Sequence, residues 1–237
     1  MEINKTLYPI KLNGKYGYID KTGAICIEPR FDYVEDFSGE LAMVSIGEHF
    51  GFIDKEGNLI VETKFDDAYD FSEGLAVVEK AGKKGYVDSS GNLVIDTRYD
   101  NAFKFSEGLA AVKVNYKWGY INKEGQIAIE PQFLDAYDFS ESMALVQFGG
   151  KLGYIDTKGN IVVEPNYDSA YEFSEGLAAV QSGNDYGYID KTGALVIKPK
   201  YYSAYDFSEG LAAVEIKNKF GFINNKGEII IPAKYDE

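Results

Sequence analysis

Lys117-Trp118-Gly119-Tyr120-Ile121-Asn122-Lys123-Glu124-Gly125 is the stretch on which the fold turns. Its first half, two aromatics around a glycine followed by a β-branched residue, reads as a strand. Its second half reads as a turn. An Asp or Asn side chain can accept a backbone N–H two residues on, and Gly takes φ > 0 without a Cβ clash. Asn122 and Gly125 therefore predict a hairpin made of a type I turn and a Gly bulge. Upstream, Leu109-Ala110-Ala111-Val112-Lys113-Val114 has strand length and composition, with a turn at Asn115 to Lys117. Downstream, Ile127-Ala128-Ile129 reads as a third strand.

The same stretch recurs along the chain. Gly followed by an aromatic and Ile or Val falls at Gly17, Gly51, Gly85, Gly119, Gly153, Gly187 and Gly221, every 34 residues. A second Gly follows six residues later each time, from Gly23 to Gly227. The turn opens with Asp20, Asp54, Asp88, Asp156 and Asp190, and with Asn122 and Asn224 in the other two copies. A Phe-Ser step repeats at Phe37, Phe71, Phe105, Phe139, Phe173 and Phe207. A self-similarity of this kind decides the architecture before any local reading does. No insertion breaks the register, so residues 1–237 read as one repeat domain with seven repeats over about 7–237.

The segment Tyr167-Asp168-Ser169-Ala170-Tyr171-Glu172-Phe173-Ser174-Glu175-Gly176 has no clear period. It is expected to be an irregular or edge strand, or one helical turn, that carries the chain to the next unit. The Phe ladder is expected to lie buried between units. The Ser-Glu-Gly step is expected to turn, with Ser bonding the backbone and Gly in the left-handed region. A few short strands are marginal alone, and stacked units share one core.

Composition narrows the function. Net charge is −14, which disfavours a phosphate backbone as partner. No run approaches the length of a membrane span, so neither nucleic acid nor membrane is expected as partner. The N-terminus, Met1 to Tyr8, lacks an apolar stretch of signal-peptide length, so the sequence reads as cytoplasmic, with a removed export signal left open. Cys26, the one cysteine, sits between Ile25 and Ile27 and reads as a small strand residue.

Catalytic chemistry finds no matching set, and the chain is expected not to be an enzyme. The one histidine, His49, falls in the turn Gly47-Glu48-His49, with no second His or Cys beside it in sequence. Zinc wants three or four Cys or His ligands, and calcium six to eight oxygens, more than one Asp-x-x-Gly turn offers. The Asp ladder therefore reads as turn caps. No cofactor and no metal is expected, and no ligand-binding residue is assigned. The variable segments between the first two strands, such as Lys113 to Lys117 and Gln147 to Lys151, are the places where binding would sit. Tyr116 there could stack on a peptide or a sugar.

The repeat resembles the WG (KWG) repeat family of bacterial proteins. The resemblance is carried by Lys117-Trp118-Gly119-Tyr120-Ile121-Asn122-Lys123-Glu124-Gly125, by Glu164-Pro165-Asn166-Tyr167 after Ile161-Val162-Val163, and by Phe173-Ser174-Glu175-Gly176-Leu177. It covers about Leu7 to Tyr235. The Trp is kept only at Trp118; Tyr16, Phe50, Lys84, Leu152, Tyr186 and Phe220 replace it elsewhere. What the resemblance implies is a repeat array without a fixed activity. The fold class expected is all-β, as a seven-bladed β-propeller or an open β-solenoid. The function expected is a non-enzymatic scaffold that binds a protein or peptide, with a lectin-like glycan-binding module as the alternative.

Overall fold

The computed structural model describes residues 6–236, and among these every regular element is a strand. The strands form seven small antiparallel sheets. They group into two compact units, Met1–Phe105 and Ser106–Glu237. Among the described residues, no helix is long and apolar enough to cross a membrane.

One sheet of the second unit shows the plan. The strands Asp135–Ser140, Met143–Phe148, Lys151–Asp156 and Ile161–Tyr167 pair antiparallel in that order. The segment without a period is thus an edge strand, and it pairs with the first strand of the following repeat. In the next copy it shrinks to a bridge between Ala170 and Val180. The third strand is longer than its apolar run suggests. Ile127–Phe133 continues four residues beyond Ile129, through Pro131.

That extra length explains the glycine ladder. Trp118 pairs with Phe133 and Tyr120 with Ile129, so Gly119 alone faces Glu130, Pro131 and Gln132. The bulge pushes backbone onto backbone. A Cβ on Gly119 would lie 2.5 Å from the Ile129 carbonyl oxygen. The other six glycines of the ladder have the same neighbour at 2.3 to 2.6 Å. Pro131 has no N–H to lose at such a bulge.

The Asp-x-x-Gly turns form as the sequence predicts. Asp54 accepts the backbone N–H of Glu56 at 3.0 Å and of Asn58 at 2.7 Å, and Gly57 sits at φ 86. Gly57 also abuts the Ile27 side chain of the preceding repeat, so the turn is part of the packing between repeats.

Successive repeats are held by a clamp of aromatic rings. Tyr120 is fully buried, its ring centroid 4.9 Å from that of Phe139, and its hydroxyl donates to the Tyr137 carbonyl at 2.8 Å. Tyr154 does the same with Phe173 and Tyr171, and Tyr188 with Phe207 and Tyr205. Burial drives the Tyr120 phenol well above its ordinary pKa. Phe105, Phe139, Phe173 and Phe207 are buried as expected, whereas Phe37 and Phe71 are only half-buried.

The Ser-Glu-Gly step turns with its Gly in the left-handed region, and its serine bonds backbone, that of the next repeat. Ser174 and Leu177 exchange both backbone bonds across a two-residue hairpin, with Glu175 at φ 52 and Gly176 at φ 81. With those groups already paired, the hydroxyl reaches forward one repeat: Ser140 Oγ donates to the Phe173 carbonyl at 2.8 Å, and Ser174 Oγ to that of Phe207 at 2.7 Å. The glutamate reaches forward too. Glu141 Oε2 accepts the Gly176 N–H at 2.9 Å. Where Gly is replaced, in Ser140-Glu141-Ser142, Ser142 still takes φ 67.

Candidate functional site

The edge strand that links repeats carries the site. Its pairing slips by one residue between Ala136 and Phe139. Strict alternation would send one of the two intervening residues inward. The bulge instead leaves both off the core. Ala136 and Phe139 are buried, Tyr137 is 37% exposed and Asp138 is half-buried. The same slip separates Ala68 from Phe71, which puts Tyr69 and Asp70 outside.

In the second unit this gives a row of rings and carboxylates. The rings are Tyr137, Tyr171 and Tyr205, the last 47% exposed. The acids are Asp138, Glu172 and Asp206. They interleave: Glu172 is among the charges that raise the Tyr137 pKa, after burial and Asp135. Tyr171 is raised by burial first, then by Tyr186, Tyr205 and Asp206. Partial burial holds Asp206 above the usual carboxylate range. Tyr186 backs Tyr171 with ring centroids 6.2 Å apart, and Phe220 backs Tyr205 at 6.1 Å. At the Tyr205 end, an apolar pocket of about 270 Å³ is lined by Tyr205, Ala213, Phe220, Phe222 and Tyr235.

The residues singled out in the sequence lie elsewhere. The segments between the first two strands are mostly strand. Only two residues turn, as at Asn115 and Tyr116, and both take positive φ. His49 is not in a turn. It opens the strand His49–Ile53 and lies 3.8 Å from Asp66 through Nδ1. Lys15, Lys83, Lys151 and Lys219 hold that place in alternate repeats and pair with Asp32, Asp100, Asp168 and Asp236. Cys26 is half-buried in the strand Ile25–Phe31. The Asp ladder caps turns; the Asn92 side chain, then backbone N–H groups, hold Asp88 below the ordinary carboxylate range.

Tyr116 is 87% exposed at φ 66, a conformation that costs an L residue about 1–2 kcal/mol. Tyr116→Gly is therefore expected to stabilise the chain by roughly 0.5–1 kcal/mol, seen as a higher urea midpoint. An unchanged or lower midpoint would mean that the ring makes contacts worth its strain.

The sequence matches the WG containing repeat family over residues 16–48, 50–83, 85–118, 118–151, 153–184, 186–220 and 220–237. This chain belongs to the WG-repeat family. A comparison with curated protein sequences finds no match. Among solved structures, it is similar to a eukaryotic initiation factor, with 14% identity, 97% of this chain and 74% of that chain covered, and a TM-score of 0.64. It is also similar to Kluyveromyces lactis Hsv2 with loop 6CD replaced by a Gly-Ser linker, with 13% identity, 80% and 75% covered, and a TM-score of 0.51. At such identities the likeness is one of fold alone, and the fold is propeller-like.

The WG geometry shows why Trp is not needed in three of the six repeats that lack it. The Gly is fixed by a carbonyl at contact distance, whereas the residue before it backs the exposed ring of the linking strand at Tyr186, Phe220 and Lys84. Lys84 does this as well as Tyr186: its ammonium lies 4.5 Å from the Tyr69 ring centroid. Sequence reading missed the ring ladder Tyr69, Phe103, Tyr137, Tyr171 and Tyr205. Its constant place two residues before the Phe ladder is visible in the sequence, but reads there as core.

Proposed function

We propose that this WG-repeat chain is a non-enzymatic scaffold that binds a protein or peptide, and that its seven repeats close as a β-propeller. The observation that carries the binding reading is the row Tyr137, Tyr171 and Tyr205, exposed aromatics on strands pinned from behind by buried rings. Surfaces enriched in Tyr supply large contact area at low entropic cost. Seven in-register repeats and the propeller-like neighbours support closure. Net charge of −14 and the lack of any basic patch in the sequence leave nucleic acid and anionic membrane surfaces outside the proposal.

The test is cross-linking in the source cell with the wild type and with Tyr137→Ser, Tyr171→Ser and Tyr205→Ser combined. A specific partner is expected with the wild type and with Tyr116→Ser, and not with the triple variant. A partner retained by the triple variant would move the site elsewhere. A glycan-binding reading draws on Tyr116 and on Tyr202, which is 70% exposed, since such rings can stack on a sugar. Glycan-array binding abolished by Tyr116→Ser and Tyr202→Ser would favour it instead. For closure, small-angle scattering is expected to give a disc, and an elongated particle would support an open array.

A further inference from the structure

The row in the second unit has a counterpart in the first. Tyr171 and Tyr186 stand three repeats after Tyr69 and Lys84. In the first unit the Lys84 ammonium lies over the Tyr69 ring at 4.5 Å and donates to its hydroxyl at 3.3 Å. In the second unit a tyrosine replaces that lysine, so the intramolecular cation is gone and a second ring takes its place. The charge of the next repeat reverses as well: Lys104 in the first unit corresponds to Asp206 in the second. Among the described residues, no lysine or arginine stands over Tyr171, Tyr186 or Tyr205.

We propose that Tyr171, Tyr186, Tyr205 and Asp206 form a cage for a lysine or arginine side chain of the partner protein. The proposal rests on the scaffold reading above and names the chemistry of its partner. Ring faces carry negative potential, and a cation within about 6 Å of a centroid is attracted, more strongly when partly desolvated. Tyr171 and Tyr205 are 37% and 47% exposed, so a side chain can reach them. Tyr186 is held in place by a bond from its hydroxyl to Ser169 Oγ at 3.0 Å. Asp206 supplies the opposite charge beside the rings. The Tyr137 and Glu172 pair repeats ring and acid one repeat earlier, which suits a segment bearing more than one basic residue.

The test uses the whole chain and a blocked, fluorescently labelled peptide of alternating lysine and alanine, read by anisotropy at physiological salt. Tyr171→Leu removes a ring and leaves net charge unchanged. It is expected to weaken binding about 5- to 30-fold, the range of a cation–π contact between exposed and desolvated settings. Asp206→Asn is expected to weaken binding as well. Glu124→Gln, an exposed acid in the turn of an earlier repeat, is expected to change it less than about twofold. Acetylating the peptide lysines is expected to abolish binding. Wild-type affinity in Tyr171→Leu, or equal losses in Asp206→Asn and Glu124→Gln, would overturn the cage, since attraction would then be diffuse. If the acetylated peptide binds as tightly and still requires Tyr171, the cation falls and the scaffold reading stands. If the cross-linked partner also survives the triple tyrosine variant, both fall.

Discussion

Gly119→Ala is expected to cost about 3 kcal/mol or more, at or beyond the upper end of overpacking effects. The added methyl would lie 2.5 Å from the Ile129 carbonyl oxygen, 2.6 Å from the Pro131 nitrogen and 2.8 Å from the Glu130 carbonyl carbon. All three are backbone atoms of the paired strand, so no rotamer change relieves the contact. The strand would have to move, and with it the pairs Trp118 to Phe133 and Tyr120 to Ile129. Gly176→Ala is the matched control. It sits at φ 81 with nothing within 4 Å of its would-be Cβ, so only backbone strain of about 1 kcal/mol applies. Trp118, the single tryptophan, lies next to Gly119 and reports unfolding by fluorescence in urea. Equal midpoints for the two variants would show that close approach is not why the ladder is glycine.

That contrast also marks what the sequence could tell. Both Gly ladders are visible at the same spacing, and nothing in the letters distinguishes their causes. The turn glycines follow from local rules, because Asp or Asn three residues earlier specifies a turn that needs φ > 0. The glycine after the aromatic is set by a bulge in the facing strand, a non-local feature announced only by Pro at positions such as Pro131. The Ser-Glu-Gly step divides in the same way. Its hairpin is legible, while the reach of Ser140 to Phe173 and of Glu141 to Gly176 depends on how one repeat lies on the next. The candidate site was the least legible part. An aromatic repeated at a constant interval reads as core, and Tyr137 would be core if its strand alternated regularly. The one-residue slip between Ala136 and Phe139 turns it outward, and no local residue pattern marks that slip. The variable turns drew attention because they differ between copies, yet they are two-residue hairpins with little surface to offer.

Phe139→Ala is expected to cost about 3–5 kcal/mol, the range for emptying a buried phenylalanine site. Phe139 is 2% exposed and belongs to a cluster that includes Trp118, Tyr120, Phe133 and Ile155, drawn from successive repeats. Removing the ring takes away its contact with Tyr120, centroids 4.9 Å apart, worth about 0.5–1.5 kcal/mol beyond area alone. Its backbone carbonyl would still accept Ser106 Oγ, at 2.6 Å, so the loss isolates the side chain from the hydrogen-bonded seam. Phe71→Ala tests the same rung where burial is partial. Its ring meets Phe52 at 4.8 Å, a similar contact, but the residue is only half-buried, and solvent already covers part of what truncation exposes. The loss there should be smaller by about 1 kcal/mol or more. Because each repeat buries its apolar face only against a neighbour, the Phe139 cavity weakens two repeats at once. Urea unfolding followed by Trp118 should therefore show Phe139→Ala shifting the midpoint well beyond Phe71→Ala. The reverse order would mean that the ladder rings fill space between repeats without holding them together.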